Sequence, residues 1–474
     1  MVTLMESKNK IYLIFYIIFL TACGGGSGSK DKNPDNPTSI VASTHFFVGN
    51  DGVNGSELWK TDGTEQGTVM VKDINPEGDS RPGQLTYNNG VLYFNADDGV
   101  HGRELWTSDG TENGTVIIKD VNPNGDSVTF FTSINGSLYL YMTDGINGYE
   151  LWKSDGSAEG TVMVMDIGPV GLSGFDHYSL THIGDTLYFS GYAEVARCAL
   201  WRSDGTESGT FSVREFNPSQ GASCPARLTN VNGELFFSAS DEAFGAELWK
   251  SDGTRSGTVM VKDINMFLIA GSRPANFVSF DDKLYFTAED EDHGRELWVS
   301  NGTEAGTTIV ADINPGESGS SVGMVTPFRE KLFFDTGGPC NTGIWVSDGT
   351  ENGTYRFGSC GHPLFKWVVL NQPTIINNTL YFFSNNDFGD DLWQSDSTTQ
   401  GTFPVTNFSN NPGLSFAIAS YNRNYKSLVF PDGRFLMGAE DEINGRELWV
   451  TDGTEQGTMM VKDVNPGSAN GFSW

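Results

Sequence analysis

The sequence predicts an all-β protein, a β-propeller of four-stranded antiparallel blades, and two observations support this prediction. The first is a motif of the form Glu-Leu-Trp-x-x-Asp-Gly-Thr that occurs, complete or with substitutions, nine times along the 474 residues. Its tryptophans stand at intervals of 46 to 56 residues, a period that indicates stacked or radially arranged repeats. The second is the composition, because 58 glycines and 12% aromatic residues are typical of many short strands joined by tight turns. We expect the nine repeats to form one closed ring.

The second repeat shows how each unit divides into strands. Residues 84–87 and 91–94 are expected to be two strands, since Asn89-Gly90 between them is a strong hairpin signal. Residues 104–106 and 115–121 are expected to be the third and fourth strands, separated by the Asp-Gly-Thr turn. Four antiparallel strands in one such repeat match a single propeller blade.

Both faces of this sheet are predicted to be covered. Leu105 and Trp106 are adjacent in one strand, so their large apolar side chains point to opposite faces. This pattern is typical of a blade that lies between two neighbours. The alternative is an open solenoid, but its coils are shorter and are not joined by hairpin turns. Nine blades exceed the usual four to eight, so the sequence defines the blade more firmly than the number of blades.

Ring closure is expected to involve the C-terminal residues. The first unit reaches its strand at residues 44–48 without a clear hairpin turn before it. Residues 471–474 follow the ninth unit and begin what would be a tenth inner strand. We expect residues 471–474 to complete the first blade, and the alternative is that residues 39–42 supply the missing strand.

The N-terminal residues predict an exported lipoprotein. Residues 1–22 have the charges and the apolar run of a signal peptide, and Leu20-Thr21-Ala22-Cys23 looks like a bacterial lipobox. Cys23 would then be lipidated, for example with palmitate, and an ordinary signal peptide is the alternative. Residues 23–39 are expected to form a flexible tether before the propeller at residues 40–474. Because Gly24 is not the Asp that resembles an inner-membrane retention signal, we expect attachment to the outer membrane or cell surface of a Gram-negative bacterium.

The net charge of −31 restricts the possible partners. Such an acidic chain repels nucleic acid and anionic lipid, so we expect neither to be bound, and we expect a monomer.

The motif itself resembles that of the bacterial Glu-Leu-Trp-x-x-Asp-Gly-Thr repeat proteins over essentially the whole mature chain. The resemblance implies a secreted or surface-attached bacterial protein of largely unassigned function. The resemblance therefore implies a cellular location but no activity.

Two motif positions are expected to be structural. The tryptophan should lie in the core between blades, because a ligand site rarely needs nine equal anchors; the copies are Trp59, Trp106, Trp152, Trp201, Trp249, Trp298, Trp345, Trp393 and Trp449. The glycine before the final threonine is also present in every unit, and we expect a positive φ there. Its copies are Gly67, Gly114, Gly160, Gly209, Gly257, Gly306, Gly353, Gly401 and Gly457.

Paired carboxylates raise the possibility of calcium. A loop of the form Asp-x-x-x-Gly-x-Glu could supply the oxygen ligands that Ca²⁺ prefers. In the alternative, the Asp caps its turn and the Glu accepts hydrogen bonds from the backbone. The six pairs are Asp51 with Glu57, Asp98 with Glu104, Asp144 with Glu150, Asp241 with Glu247, Asp290 with Glu296, and Asp441 with Glu447. No other cofactor is expected.

The fourth and seventh units lose the motif Glu and gain cysteines. Beside Cys23, the chain has four cysteines, an even number that is typical of disulfides in an oxidising compartment. Three pairings are possible, and four free thiols are the alternative. We expect Cys198–Cys224 and Cys340–Cys360, because each of these pairs lies within one unit.

Sequence motifs assign no catalytic residue. We expect a non-catalytic cell-envelope lipoprotein whose propeller is a binding module for a glycan or protein. One alternative is an enzyme that acts on extracellular polysaccharide or peptide at the propeller channel, and another is a structural scaffold. Polar residues unique to one unit would separate these functions if they converged on the channel; the candidates are His177, His182, Glu194, Arg197 and His362.

Overall fold

The computed structural model shows a nine-bladed β-propeller, which confirms the predicted fold class. It describes residues 44–473 except 168–174, 195–196, 217–223, 242–243, 267–270, 338–342, 358–370, 387–388, 407–413, 416–428, 442 and 468. The regular elements of the described residues are all strands, in four-stranded antiparallel sheets. Within these ranges, no helix is long and apolar enough to cross a membrane.

The first three blades follow the chain, except that blade 1 takes its first strand from the C-terminal residues. Blade 1 consists of β36 (Phe472–Ser473), β1 (His45–Asn50), β2 (Ser56–Thr61) and β3 (Val69–Lys72). Blade 2 consists of β4 (Gly83–Asn88), β5 (Val91–Asp97), β6 (Arg103–Ser108) and β7 (Val116–Lys119). Blade 3 consists of β8 (Val128–Ile134), β9 (Ser137–Thr143), β10 (Tyr149–Ser154) and β11 (Val162–Met165).

The middle blades have the same order. Blade 4 consists of β12 (Phe175–Ile183), β13 (Thr186–Glu194), β14 (Arg197–Ser203) and β15 (Phe211–Phe216). Blade 5 consists of β16 (Ala226–Val231), β17 (Glu234–Asp241), β18 (Gly245–Ser251) and β19 (Val259–Lys262). Blade 6 consists of β20 (Ala275–Phe280), β21 (Lys283–Asp290), β22 (Gly294–Ser300) and β23 (Thr307–Ala311).

The last three blades contain some shorter strands. Blade 7 consists of β24 (Thr326–Phe328), β25 (Lys331–Thr336), β26 (Gly343–Ser347) and β27 (Tyr355–Arg356). Blade 8 consists of β28 (Asn371–Ile376), β29 (Thr379–Asn386), β30 (Gly389–Ser395) and β31 (Phe403–Pro404). Blade 9 consists of β32 (Leu414–Ser415), β33 (Phe435–Asp441), β34 (Gly445–Thr451) and β35 (Met459–Lys462).

The two ends of the propeller carry different loops. First strands of neighbouring blades contact one another at β4 and β8, β12 and β16, β16 and β20, and β20 and β24, as expected for the strands that surround the channel of a propeller. The crossover end holds the loops between second and third strands, such as residues 98–102, and the crossovers between blades, such as residues 73–82. The motif end holds the turns between first and second strands, such as Asn89-Gly90, and the Asp-Gly-Thr turns, such as residues 109–115.

Every interface between blades contains an apolar cluster. In one of them, Phe94 and Trp106 of blade 2 pack against Phe46 and Leu58 of blade 1. Equivalent clusters join all nine pairs of neighbouring blades, and each includes or contacts one motif tryptophan. Since neighbouring strand residues point to opposite faces, each blade contributes its tryptophan face to one interface and its other face to the next.

The positive-φ glycine of the motif is the one that follows Asp, so the expected position was wrong. Gly156, for example, has a φ of 93°, and a Cβ atom there would lie 2.3 Å from the Tyr93 hydroxyl of the preceding blade. Gly114, in the Gly-Thr pair, is not among the positive-φ residues. A Cβ at Gly114 would instead lie 2.0 Å from the Asp109 carboxylate, so the close approach of this side chain requires glycine there.

The ring is closed by β36, which confirms the expected role of the C-terminal residues. Phe472 and Ser473 pair antiparallel with β1, and Phe472 is buried in the cluster between blades 9 and 1. The Nζ atom of Lys462 donates to the Thr68 carbonyl at 2.9 Å and lies over the Trp59 ring. Lys72 makes the same contacts between blades 1 and 2, so the closing interface repeats the others. The alternative strand, residues 39–42, lies outside the described residues.

A disulfide joins Cys198 to Cys224, with a Cα–Cα distance of 5.3 Å. It connects the third strand of blade 4 to the residues just before the first strand of blade 5. Glu57 connects the corresponding segments after blade 1 by accepting a hydrogen bond from the Ser80 amide. Ala199 replaces the motif Glu in blade 4, so the disulfide provides the connection that is otherwise missing. Cys340 and Cys360 lie outside the described residues.

Replacing Phe472 with Ala should destabilise the propeller by about 3–5 kcal/mol, because removal of the phenyl group leaves a cavity in the interface between blades 9 and 1. The matched control is Met459→Ala on β35, whose side chain is 53% exposed and whose loss should change stability by less than about 0.5 kcal/mol. Urea unfolding followed by tryptophan fluorescence measures both. If the two variants unfolded at the same midpoint urea concentration, Phe472 would not stabilise the closure of the propeller.

The double variant Cys198→Ala/Cys224→Ala should lose about 3 kcal/mol of stability, because the open chain gains conformational entropy over the 26-residue separation. Thermal unfolding of the wild type and the variant is compared without reductant, so that any other disulfide stays intact in both. An unchanged melting temperature would contradict a stabilising role for this disulfide.

Candidate functional site

The aspartates of the predicted calcium loops cap their own turns. The Asp51 carboxylate accepts hydrogen bonds from the backbone and side-chain nitrogens of Asn54, at 2.8 and 2.7 Å. Asp98 accepts from the His101 amide at 2.8 Å and contacts the His101 ring nitrogen at 2.7 Å. These hydrogen bonds help to hold the pKa of both carboxyl groups below its usual range, although burial opposes the shift.

The glutamates of the same loops face the crossovers instead. Glu57 is fully buried and accepts hydrogen bonds from the Ile74 amide at 2.8 Å and from the Ser80 hydroxyl at 2.6 Å. Glu247 makes the same contacts with Ile264 and Ser272. The Asp and the Glu thus have separate partners, as in the alternative to calcium. Among the described residues, no three His, Cys, Asp or Glu side chains are grouped to hold a metal ion.

Burial makes several of these glutamates weaker acids than an exposed glutamate. It raises the pKa of Glu104, Glu296 and Glu447 to about 7, against the effect of the hydrogen bonds that they accept. The nearby Asp120 carboxylate raises the pKa of Glu104 further. These three carboxyl groups therefore keep their protons to a higher pH than an exposed glutamate does.

The register of blade 4 pairs Glu194 with Arg197, and the described part of the chain brings no other two of the candidates unique to single units together. His182 lies at the motif end, where its ring is exposed and 3.2 Å from the Gly184 carbonyl. Glu194 and Arg197 end β13 and begin β14 at the crossover end of blade 4, but their side chains lie outside the described part. The same holds for the side chain of His177 on β12 and for the whole of His362.

Asp335 is a site residue that the sequence analysis missed. It lies on β25, the second strand of blade 7, near the crossover end and beside the inner strand. The equivalent positions of the other blades are not acidic: they are Val48, Asn95, Tyr141, Ser190, Ser238, Thr287, Phe383 and Gly438.

The surroundings of Asp335 keep its carboxyl group largely away from water. The Gly323 amide donates to the Asp335 carbonyl at 2.8 Å, and a Cβ at Gly323 would lie 2.4 Å from the carboxylate. Glycine at this position therefore makes room for the acid. Burial raises the pKa of Asp335 to about 6, although the Met324 amide donates to the carboxylate and opposes the shift. An acid with this pKa can give and regain a proton near neutral pH.

A group of polar residues in blade 6 reaches the same place. The Asn276 side chain contacts the Val322 carbonyl at 3.4 Å, next to Gly323 in blade 7. Asn276 and Arg295 both contact the Thr287 hydroxyl, at 3.5 and 3.4 Å. These contacts link Arg295, Thr287 and Asn276 in a polar row that ends beside Gly323, whose amide donates to the Asp335 carbonyl at the crossover end of blade 7.

Two blades share the same pair of arginines. In blade 6, Arg295 donates to the Arg273 carbonyl at 3.1 Å; in blade 2, Arg103 donates to the Arg81 carbonyl at 2.9 Å. Arg81 and Arg273 are exposed and lie two residues before inner strands, while Arg103 and Arg295 are half-buried. Burial lowers the pKa of Arg103 and Arg295, but guanidinium groups remain charged at physiological pH.

Arg227 of blade 5 adds a third positive charge near blade 6. It is exposed on β16, and both Arg227 and Arg273 lower the pKa of Arg295, after burial and against the Glu289 carboxylate. The Arg295–Glu289 ion pair spans 3.8 Å. The crossover end of blades 5, 6 and 7 thus combines clustered arginines with one largely buried acid, an arrangement that suits an anionic ligand and proton transfer.

Comparisons with known proteins concern the fold. No family model and no curated protein match this chain. Solved structures that are similar include one from an analysis of two prolyl endopeptidases (11% identity, TM-score 0.42), puromycin hydrolase (12%, 0.38) and prolyl oligopeptidase B from Galerina marginata (11%, 0.41). The matches cover 76% to 78% of this chain and 54% to 58% of the solved chains, so this chain spans little more than half their length.

These similar structures belong to enzymes, and the expectation of a non-catalytic binding module is therefore corrected. At identities of 11% and 12% the similarity extends to the fold alone, and no activity or substrate passes to this chain from it.

Proposed function

We propose that this protein is a hydrolytic enzyme that acts on an extracellular polymer at the crossover end of its channel. The observation that carries the proposal is Asp335, which has the only acidic side chain at its position in the nine blades and lies at the end of the blade 6–7 polar row. Perturbed acids beside a channel are typical of sites that transfer protons.

In this proposal, Asp335 is the general acid. Its proton passes to the leaving group as the bond in the polymer breaks, and a water molecule supplies the hydroxyl group of the other product. The second proton of that water returns to Asp335, so one bond is cleaved and one water is consumed. The pKa of about 6 keeps a useful fraction of the group protonated at mildly acidic and neutral pH.

Asp335→Asn should lower kcat by about 100-fold or more, because an amide cannot donate the proton. Asn95 occupies the equivalent position in blade 2, so the substitution should be accommodated. In the wild type, kcat should fall as the pH rises through about 6, since only the protonated acid is active. The measurement is the release of new reducing ends or amino groups from a panel of extracellular polymers.

The matched control is Asp281→Asn, an exposed acid in a turn at the motif end of blade 6. It removes the same charge without touching the polar row. Equal rates for the two variants, or a rate without dependence on pH between 5 and 8, would rule out Asp335 as the acid.

We also propose that the enzyme is attached to the bacterial outer membrane or cell surface through lipidated Cys23, as in the repeat proteins whose motif it resembles. The apolar run before Cys23 and the lipobox-like residues support this. Cys23→Ser should move the protein from the membrane fraction to the soluble fraction of expressing cells, as seen by immunoblotting. A variant that stayed with the membranes would contradict lipid attachment at this residue.

A further inference from the structure

We propose that the substrate is an anionic polysaccharide, a chain of uronic acid type, held across the channel by the arginines of blade 2 on one side and blades 5 and 6 on the other. The inference rests on the proposed function, because it names the substrate class of that site. It is carried by the arginine geometry, which does not depend on the role of Asp335.

The exposed arginines are placed where a ligand could reach them. Arg81 and Arg273 each precede an inner strand at the crossover end, with side chains open to solvent. The Arg81 side chain is 74% exposed, and its one described ion pair, with Asp79, spans 3.7 Å. For the Arg273 side chain, the described residues provide no ion pair. Both guanidinium groups are therefore available to an external carboxylate.

The backbone fixes these arginines in the same unusual conformation. Arg81 has a φ of 45° and Arg273 a φ of 50°, and each is followed by proline. Ser321, at the equivalent position before blade 7, has a φ of 51°, so this left-handed conformation belongs to the crossover and orients Arg81 and Arg273 alike. Arg103 donates a hydrogen bond to the Arg81 carbonyl, and Arg295 donates one to the Arg273 carbonyl. These bonds fix the backbone of the two exposed arginines in both blades.

The local positive charge is notable in a chain with 60 acidic and 29 basic residues. The charges of Arg227 and Arg273 both act on the Arg295 guanidinium, which the Glu289 carboxylate approaches to 3.8 Å. The repulsion of Arg295 by these two charges is unfavourable, and carboxylates of a bound ligand would offset it. The arrangement therefore favours an anion over a neutral sugar.

The spacing of the arginines favours a long ligand. Blades 2 and 6 are four blades apart in a ring of nine, so their arginine pairs face each other from nearly opposite sides of the channel. One small anion cannot touch both groups, whereas an extended polymer with regularly spaced carboxylates can. The positive charge of the two sites would then act on one molecule, and the two contacts would reinforce each other.

The neighbouring side chains favour a polysaccharide over an acidic peptide. Gln84 in blade 2 and Asn276 in blade 6 occupy the same bulged position of the inner strand, half-buried beside the arginines. The Gln84 amide can donate to and accept from hydroxyl groups, and the Asn276 amide oxygen can accept from them; a uronate carries hydroxyl groups on every residue. Bulges of this kind aim side chains next to functional sites.

The test measures binding of the full-length Asp335→Asn protein, so that turnover does not interfere. The probes are polygalacturonate oligomers, neutral dextran and poly-L-glutamate, and titration calorimetry gives Kd. We expect polygalacturonate to bind, more weakly as salt is added, and the two other polymers to bind at least tenfold more weakly. Arg81→Gln and Arg273→Gln should each weaken binding of polygalacturonate by about tenfold, as for the loss of a charged hydrogen bond.

The matched control is Arg255→Gln, which removes an exposed arginine from an Asp-Gly-Thr turn at the motif end. It should leave Kd unchanged. Loss of binding in this variant equal to that of Arg273→Gln, tighter binding of poly-L-glutamate, or no binding of polygalacturonate would each overturn the inference. Normal binding together with undiminished turnover by Asp335→Asn would instead reject only the proposed role of Asp335.

Discussion

The propeller is held together by one repeated contact, in which the face of each blade that carries the motif tryptophan packs against the preceding blade. A single blade is a four-stranded sheet with two apolar faces, so it cannot be stable without neighbours on both sides. The contacts around the tryptophan make the fit specific. The Tyr93 ring reaches Gly156 of the next blade, where a side chain would collide with it, and Lys119 donates to the Thr161 carbonyl between the same blades. The Asp-Gly-Thr sequence is therefore a socket for the aromatic residue of the neighbouring blade.

The fold could be predicted because the motif encodes this interface in every unit. The spacing of tryptophans gave the blades, the Asn-Gly turns gave the inner hairpins, and residues 471–474 indicated closure. The reason for Gly114 could not be predicted in the same way. Recurrence shows that a position needs glycine, but a positive φ and a close side chain both have this effect, and only coordinates distinguish them.

The site was less predictable, since it depends on residues that differ between units. Asp335 follows Leu-Phe-Phe and looks like any acid at a strand end; its burial beside Gly323 depends on the pairing of β24 with β25. The arginines did leave a signal. Units 2 and 6 share Ser-Arg-Pro before the inner strand and Arg-Glu-Leu-Trp in the third, whereas unit 9 has only the latter. Comparison of units for shared departures from the common pattern would have found Arg81 and Arg273.

The closing strand has a consequence for the order of folding. Contacts between consecutive blades join residues a few dozen positions apart, whereas Lys462 and Thr68 are 394 positions apart. Closing so long a loop directly would be slow, because its entropy must be lost before any contact compensates. Once the intermediate blades have assembled, however, their regular rotation brings blade 9 beside blade 1. The last interface then forms between surfaces that are already in place, so the ring can fold like a linear repeat protein until its final step.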